Sequence, residues 1–416
     1  MRKLSGPCEI KGAVVAPPSK SMMLRAVAAA VLAEGRSEIT NPSFCLDSRA
    51  ALSVARSLGA GISSAKARIS IQGGLDPGRQ TLDCGESGLS LRMFAPVAAL
   101  LDKEILLSGT GSLMRRPVFM MEAPFGRLGV RFSSRNGFPP VSVKGPLQGG
   151  EAVVDGSVSS QFLTGLLIAL PLAAKDSFLR IMNLKSKPYV HMTLRFLENL
   201  GLTLFNRTDA AVIIPGNQTY RPFAYRVEGD WSSASFLFVA GAVGGEVEIS
   251  GLDLSSLQAD RKILRALEIS GADIQSTSAS IRVRKKRLDA FAFDCTDCPD
   301  LFPPLVVLAS QCRGTSLITG VERLRYKECD RASALVEEFS RIGTDIRLDR
   351  NSLEVRHSNI GSGRVSSHND HRIAMALAIA ATNASGDIEI DGSDCVAKSY
   401  PDFFRDLAHI GGKVYE

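Results

Sequence analysis

The sequence of 416 residues has no long uninterrupted apolar run and no framework of closely spaced cysteines. Its longest apolar stretch, residues 161–174, contains Thr164, Gly165 and Pro171 and falls short of a membrane span. The chain starts MRKLSGPCEI without an apolar signal segment, and its eight cysteines are scattered. These absences predict a cytoplasmic protein with reduced thiols and no membrane partner.

Patterns typical of metal and nucleic-acid sites are also weak. The sequence CTDC (295–298) has no second cysteine or histidine pair nearby, so buried thiols are the simpler interpretation. HNDHR (368–372) offers only two histidines, three residues apart. The dense basic block RVRKKR (282–287) lacks interleaved aromatic residues, and the net charge of +6 is moderate. Small anionic ligands therefore fit the composition at least as readily as nucleic acid does.

A polar, cationic segment that runs directly into an apolar helical pattern is the most informative stretch. It occupies residues 17–33, PPSKSMMLRAVAAAVLA. Two prolines exclude a helix upstream, so we predict a helix that starts near Ser19, with Ser19 as its N-cap. Lys20, Ser21 and Arg25 then lie where free backbone N–H groups and the helix dipole favour an anion. An ordinary capped helix with two surface cations is the alternative for this stretch alone.

The same design recurs along the chain at a nearly constant interval. Comparable polar starts occur at Ser87, Ser159, Asp230, Asp300 and Asp370, with steps of 68–72 residues from Ser19 onward. A second series with the same period consists of six glycines: Gly59, Gly129, Gly201, Gly271, Gly343 and Gly411. Two independent markers with one period of about 70 residues predict six copies of one supersecondary unit.

Each repeat contains an apolar helix, a β-rich stretch, an amphipathic helix that ends at the marker glycine, and one or two further strands. The predicted fold class is therefore mixed α/β (α+β). The helices with polar starts are apolar on almost every side, so each should be buried with sheets packed outside it. At 45% hydrophobic residues the chain can form two cores. We expect three repeats in each of two domains, with the polar helix starts facing a shared cleft.

Ten short motifs follow one another along the chain. They are PSKSMMLR (18–25), GESG (85–88), RRP (115–117), DGSVSSQF (155–162), SKPY (186–189), EGDWSSAS (228–235), CPD (298–300), LRYKECDR (324–331), NDHRIAM (369–375) and AKSYPDFF (397–404). Over essentially the whole chain this set resembles the family of 5-enolpyruvylshikimate-3-phosphate synthases (3-phosphoshikimate 1-carboxyvinyltransferases), which are enolpyruvyl transferases. The resemblance implies a two-domain, inside-out α/β barrel of six βαβαββ repeats. It places residues 18–228 in one domain, and residues 1–17 and 229–416 in the other.

The resemblance implies transfer of the enolpyruvyl group of phosphoenolpyruvate to the 5-hydroxyl of shikimate 3-phosphate, with release of phosphate. This is a step of aromatic amino acid biosynthesis by the shikimate pathway, towards chorismate. The residues implied to bind shikimate 3-phosphate are Lys20, Ser21, Arg25, Ser159, Ser160, Gln161, Ser186, Tyr189, Asp300 and Lys327. Those implied to bind phosphoenolpyruvate are Lys20, Gly88, Arg116, Gln161, Arg331, Arg372 and Lys398.

The implied catalytic residues are Asp300, Glu328 and Lys20. Asp300 would be the base on the 5-hydroxyl, Glu328 would exchange protons with the methyl carbon, and Lys20 would stabilise the developing charge. The resemblance further implies no metal, no organic cofactor, no nucleic-acid partner and a monomer. Glu86 departs from the family pattern, because it places a carboxylate in the glycine turn near an expected anion site.

Two other functions remain open from the sequence. UDP-N-acetylglucosamine enolpyruvyl transferase shares this fold, but it carries a cysteine before an arginine-proline pair, where this chain reads SGTGSLMRRP (108–117). A non-catalytic member of the fold that only binds anions is the second alternative. Such a protein would have no need of Asp300 and Glu328 among its cations.

Overall fold

The structure, a computed structural model, describes residues 1–65 and 67–415. The chain divides into two compact units. One comprises Met1–Pro17 and Glu228–Glu416, and the other comprises Pro18–Val227. Within the described residues, no helix combines the length and the apolarity needed to cross a membrane.

The described residues form twelve α-helices, six in each unit. The Pro18–Val227 unit contains α1 (Lys20–Leu32), α2 (Leu46–Ser57), α3 (Gly88–Ala98), α4 (Glu122–Arg127), α5 (Gln161–Ala169) and α6 (Lys187–Asn199). The other unit contains α7 (Trp231–Gly244), α8 (Ile263–Ser270), α9 (Phe302–Ser310), α10 (Arg331–Arg341), α11 (His371–Ala381) and α12 (Phe403–His409). Buried and outer helices alternate along the chain.

The described strands number twenty-four. The first twelve are β1 (Arg2–Ser5), β2 (Ile10–Val15), β3 (Gly35–Thr40), β4 (Gly61–Ala65), β5 (Arg68–Gly73), β6 (Thr81–Asp83), β7 (Glu104–Ser108), β8 (Arg131–Arg135), β9 (Phe138–Lys144), β10 (Gly150–Asp155), β11 (Ser177–Met182) and β12 (Phe205–Thr208). The others are β13 (Ala211–Ile214), β14 (Ala224–Arg226), β15 (Gly245–Ser250), β16 (Asp273–Ser276), β17 (Ser280–Arg284), β18 (Ala292–Asp294), β19 (Thr315–Thr319), β20 (Ile346–Asp349), β21 (Ser352–Arg356), β22 (Gly363–Ser366), β23 (Asp387–Asp391) and β24 (Lys413–Tyr415).

These strands form six four-stranded sheets with one pairing pattern. The orders are β14-β3-β5-β4, β6-β7-β9-β8 and β10-β11-β13-β12 in the Pro18–Val227 unit, and β2-β15-β17-β16, β18-β19-β21-β20 and β22-β23-β1-β24 in the other. In every sheet the first two strands are parallel and the other neighbours are antiparallel. Six copies of one α/β unit are therefore present, which confirms the predicted fold class.

Four of the six predicted helix starts have the expected cap. Ser19, Ser87, Asp230 and Asp370 are N-caps whose side chains each accept a bond from a backbone N–H of the first turn. These caps satisfy donors that the helices would otherwise leave buried without a partner. The polar helix starts thus have a structural role in addition to any role in binding.

The remaining two helix starts lie slightly later than the sequence predicted. Ser159 Oγ accepts a bond from the Gln161 N–H at 3.2 Å, and this local turn places Ser160, not Ser159, before α5. Asp300 lies in a short 3₁₀ turn, and α9 begins only at Phe302. The next two residues are prolines, which lack an N–H and fit only the first turn of a helix, so α9 has to begin just before them.

The six marker glycines all have left-handed backbone geometry. Their φ angles lie between 83° and 108°, and each follows the end of an outer helix by one or two residues. Only glycine adopts this conformation without a steric penalty, which explains why the same residue type recurs at each position.

The buried helices approach one another closely where glycine permits it. In α5, a Cβ atom on Gly165 would lie 2.6 Å from the Met93 carbonyl oxygen and 3.0 Å from the Arg92 carbonyl oxygen of α3. Both contacts are with backbone, which cannot move aside without shifting a helix. Gly165 therefore sets the distance between two helices whose starts carry predicted ligand residues.

We predict that Gly165→Ala lowers the free energy of unfolding by about 1–3 kcal/mol, because the added methyl group overpacks this helix contact. Urea titration followed by circular dichroism measures the effect. Gly126→Ala in α4 is the matched control, since nothing lies within 4 Å of a Cβ placed there. The control should be neutral or stabilising by up to about 1 kcal/mol. Equal stability of the two variants would contradict the close packing.

Candidate active site

In the Pro18–Val227 unit, most of the predicted ligand residues lie at the starts of helices. Lys20 is the first residue of α1, and its Nζ lies 2.9 Å from Asp47 Oδ2 of α2. Ser186 precedes α6 in a left-handed conformation with φ 54°, and its side chain is buried. Ser159 and Ser160 are buried before α5. Each hydroxyl or ammonium is therefore near backbone N–H groups that favour an anion.

Arg25 connects the start of α1 with α6 from a buried position, and it reaches α5 through Thr193. Its Nη1 donates to the Ser21 carbonyl oxygen at 2.8 Å, and its Nη2 donates to the Tyr189 carbonyl oxygen at 3.0 Å. Its Nε donates to Thr193 Oγ1 at 3.0 Å. Thr193 in turn lies 3.4 Å from Thr164 Oγ1 on α5. Arg25 thus fixes the predicted shikimate residues relative to one another in addition to carrying positive charge.

A second buried arginine, Arg92 of α3, was not among the predicted site residues. It donates to Gln161 Oε1 at 2.8 Å and to the Pro117 carbonyl oxygen at 2.8 Å. The first bond orients the Gln161 side chain, and the second holds the segment that carries Arg116. Gly88 begins α3 directly beside Arg116, and a Cβ atom at Gly88 would collide with Arg116 Nη1. The Gly88 position thus leaves room for the guanidinium.

Glu86, the departure from the family pattern, has a defined contact in its own unit. Its Oε2 accepts a bond from the Ser112 N–H at 2.9 Å. Ser112 belongs to the short 3₁₀ helix Gly111–Arg115 that leads into Arg116. The carboxylate therefore lies at the N-terminal end of this turn, where a negative charge is favourable.

In the other unit, Asp300 is surrounded by three cations. Its Oδ1 lies 3.2 Å from Lys327 Nζ and 2.8 Å from Arg331 Nη1, and its Oδ2 lies 3.2 Å from Arg372 Nη2. Asp300, Lys327 and Arg331 come from one repeat, and Arg372 comes from the next. The fold therefore assembles the predicted base and its neighbours from distant parts of the sequence.

Arg331 is at the centre of this group and is only 1% exposed. Besides Asp300, it contacts Glu328 Oε2 through Nη2 at 2.7 Å and Asp370 Oδ2 through Nε at 2.8 Å. Asp370 is fully buried and also caps α11. Three carboxylates thus share one guanidinium, which offsets the cost of burying any of them alone.

These charges determine the protonation states of the group. Burial by itself would raise the pKa of the Asp300 carboxyl, but the positive charges of Arg372, Lys327 and Arg331 outweigh it and hold the pKa well below its usual value. Burial lowers the pKa of Lys327 from 10.5 to about 8. The Asp300 charge opposes this decrease, whereas the charges of Arg331 and Arg323 add to it. Near neutral pH, Asp300 is therefore ionised and Lys327 is a cation close to its titration range.

Lys398, the last predicted phosphoenolpyruvate residue, is linked to the same group through the backbone. Its Nζ donates to the Asn369 carbonyl oxygen at 2.8 Å. Asn369 directly precedes Asp370, and Arg372 follows two residues later. Lys398, Arg331 and Arg372 are therefore all bonded to, or directly follow, the turn before α11.

Among the described residues, one group offers three potential metal ligands close together: Glu337, Glu338 and His368. Glu338 Oε2 already accepts a bond from the Ser366 N–H at 2.9 Å, and Glu337 Oε1 pairs with Arg341 at 2.6 Å. Both carboxylates therefore already have partners within the protein. The thiols of the CTDC sequence, Cys295 and Cys298, are buried and free.

The structure thus assembles two sets of the predicted residues, one in each unit. Asp300, Lys327, Glu328, Arg331 and Arg372 contact one another in one unit, and the other unit groups the serines with Arg25, Gln161 and Tyr189. Sequence reasoning missed Asp47, Arg92 and Asp370 as members of these networks. Asp370 had a signal, because it was already recognised as a helix start. No sequence signal indicated Asp47 or Arg92, because only the fold shows which residues they contact.

Similar solved structures define the class of fold. The chain superposes on an EPSP synthase from Acinetobacter baumannii with a TM-score of 0.82 at 24% identity, covering 100% of both chains. It also matches the enolpyruvyl transferase NikO from Streptomyces tendae, with a TM-score of 0.83 at 18% identity over 100% of this chain and 98% of that one. The architecture is therefore that of the enolpyruvyl transferase fold.

Sequence comparison then identifies the family within this fold. Residues 4–407 match the family model of EPSP synthase (3-phosphoshikimate 1-carboxyvinyltransferase). The chain is 40% identical to a 3-phosphoshikimate 1-carboxyvinyltransferase of Clostridium perfringens, over 98% of this chain and 97% of that protein. A protein of the same name from Methanocorpusculum labreanum is 37% identical over the full length of both chains. The chain belongs to the EPSP synthase family.

The burial of Lys327 among the charges of the Asp300 group leads to a testable prediction about its pKa. We expect its ammonium to titrate near pH 8, because burial disfavours the charged form. Asp300→Asn should lower this pKa further, and Arg323→Gln should raise it. Nuclear magnetic resonance of the protein after reductive ¹³C-methylation measures the titration, and Lys327→Arg identifies the resonance. A Lys327 signal that titrates at 10.5 would contradict the burial argument.

Proposed function

We infer that this chain transfers the enolpyruvyl group of phosphoenolpyruvate to the 5-hydroxyl of shikimate 3-phosphate, which is the reaction of its family. The observation that carries the mechanism is the contact of Asp300 and Glu328 with the same buried Arg331, at 2.8 and 2.7 Å. Two carboxylates next to one cation can move two protons while the cation stabilises an anionic substrate. A protein that only binds anions would gain nothing from acids at this position.

We propose that shikimate 3-phosphate binds to the hydroxyls at the starts of α1, α5 and α6, together with a carboxylate and a lysine. Charge-assisted hydrogen bonds to phosphate are stronger than neutral ones, so Arg25 and Lys20 contribute most of the affinity. Tyr189 supplies a ring against the sugar-like carbocycle. The complete set is Lys20, Ser21, Arg25, Ser159, Ser160, Gln161, Ser186, Tyr189, Asp300 and Lys327.

We propose that phosphoenolpyruvate is held mainly by arginines, because the guanidinium fork matches both carboxylate and phosphate. The complete set is Lys20, Gly88, Arg116, Gln161, Arg331, Arg372 and Lys398. The contact between Gly88 and Arg116 and the shared turn of Lys398 and Arg372 support this grouping.

In the proposed mechanism, Asp300 removes the proton of the 5-hydroxyl as its oxygen attacks the central carbon of phosphoenolpyruvate. Protonated Glu328 donates a proton to the methylene carbon, and a tetrahedral intermediate forms. Glu328 then takes a proton back from the methyl carbon as phosphate leaves, and Lys20 assists transfer of the proton held by Asp300 to the phosphate. The bound anion also competes with Asp300 for Arg331 and Arg372. Binding therefore raises the low pKa of Asp300 and makes it a stronger base.

The two alternative functions lack support. Three relatives that are 37–40% identical to this chain over nearly its full length are named 3-phosphoshikimate 1-carboxyvinyltransferases. We further propose that the protein works as a cytoplasmic monomer without nucleic acid. The cysteines of the described residues are reduced thiols, as expected in a reducing compartment, and the proposed ligand sets need no residue of a second chain.

Phosphate release that requires both substrates is the experiment that tests this function. Within that assay, we expect Asp300→Asn and Glu328→Gln each to lower turnover by about 10² or more, with little change in the dissociation constant of shikimate 3-phosphate. Asp345→Asn, which removes an exposed carboxylate of the same unit, is the control. Phosphate release with one substrate alone would reject the function, and full turnover in a variant would remove that residue from the mechanism.

Gly88→Ala tests the proposed phosphoenolpyruvate site. The added Cβ atom collides with Arg116 Nη1, so the guanidinium has to move. We expect KM for phosphoenolpyruvate to rise about tenfold, as when a charge-assisted hydrogen bond is weakened, while KM for shikimate 3-phosphate changes little. Gly78→Ala is the control, because nothing lies within 4 Å of a Cβ placed there. An unchanged KM for phosphoenolpyruvate would show that Arg116 is not needed in its present position.

A further inference from the structure

The turn between β22 and α11 has an unusual backbone. His368 and Asn369 are consecutive residues with φ angles of 49° and 56°, in the left-handed region that side chains other than glycine rarely adopt. Such a conformation costs free energy and persists only where surrounding contacts hold it.

This turn carries much of the proposed phosphoenolpyruvate site. The Asn369 carbonyl oxygen accepts the bond from Lys398 Nζ at 2.8 Å. Asp370 binds Arg331 through two hydrogen bonds, at 2.8 and 3.3 Å. Arg372 follows in the first turn of α11, with its backbone N–H bonded to Asp370 Oδ1 at 2.9 Å. A change in the turn would therefore move three proposed ligands at once.

Glu338 of α10 contacts this turn through both of its carboxylate oxygens. It is 1% exposed, and its Oε2 accepts a bond from the Ser366 N–H at 2.9 Å. Its Oε1 lies 2.7 Å from His368 Nε2, and an ionised carboxylate can only accept, so the imidazole N–H donates. The His368 N–H itself donates to Ser366 Oγ at 3.1 Å. The strained residue is thus tied at both its backbone and its side chain.

The same helix contacts the turn at its two ends. α10 begins with Arg331, which binds Asp370, and Glu338 lies two turns later. Helix and turn are therefore fixed to each other at two places. Arg331 pairs with Asp370 next to the proposed ligands, and Glu338 contacts Ser366 and His368 two helical turns further along.

We propose that Glu338 and His368 are positioning residues for phosphoenolpyruvate binding. They hold the left-handed turn so that Arg331, Arg372 and Lys398 converge on one anion. This inference rests on the proposed function, because it assumes that these three cations bind phosphoenolpyruvate.

The test compares His368→Leu, which removes the donor, with His368→Gln, which retains an N–H within reach of Glu338. His368 is at a partly exposed position, so both variants should fold. We expect His368→Leu to raise KM for phosphoenolpyruvate about tenfold with KM for shikimate 3-phosphate within about twofold. His368→Gln should restore most of the loss. Arg347→Gln, an exposed residue of the same unit that pairs with Asp345, is the control.

Arg372→Gln tests the proposed phosphoenolpyruvate ligands separately from the positioning role of His368. If it leaves KM for phosphoenolpyruvate unchanged, the proposed ligand set is wrong, whatever the His368 variants do. If Arg372→Gln raises that KM and His368→Leu does not, the positioning role is overturned while the ligand set stands. A loss of thermal stability in His368→Leu with equal changes in both KM values would likewise overturn the proposal in favour of a purely structural contact.

Discussion

The sharing of one buried arginine by three carboxylates is the interaction on which the predicted site residues of the unit containing Glu228–Glu416 depend. Arg331 satisfies Asp300, Glu328 and Asp370 at once, at 2.7–2.8 Å. Removing the guanidinium would take a shared cation from three carboxylates at once, whereas removing one acid would leave the other two paired with it. The arrangement also lets a carboxylate serve as a weak base at rest and a stronger base once an anionic ligand engages the same cation.

In the Pro18–Val227 unit, the predicted ligands combine hydroxyls with cations, and the hydrogen bonds of the buried arginines link separate helices. Here the buried arginines act as connectors. Arg25 joins the starts of α1 and α6 through carbonyl oxygens, and Arg92 joins α3, α5 and the Arg116 segment. A planar guanidinium with several fixed donors can bond to separate helices at once, which a lysine cannot do with comparable geometry. Rigid positioning of the hydroxyls follows from these contacts.

Much of the fold could be predicted from local signals. The period of about 70 residues, the polar N-caps and the left-handed glycines each depend on local backbone geometry, so the sequence alone indicates them. They agree with the six sheets, which share one pairing pattern. The exceptions are instructive. The start of α5 was displaced by a hydroxyl bond within two residues, and that of α9 by its prolines, which are effects of detailed hydrogen bonding and sterics that a periodic pattern does not contain.

The sequence by itself determined the repeat, the fold class and, through its motif set, the family, because these depend on residue type and on spacing along the chain. Only the tertiary structure decided which side chains contact one another. These contacts join segments that are 25 to 69 residues apart. Examples are Asp47 with Lys20, Arg92 with both Gln161 and Pro117, and Glu338 with His368. Such contacts depend on how buried helices pack, and protonation states follow from them, so the low pKa of Asp300 has no counterpart in the one-dimensional pattern.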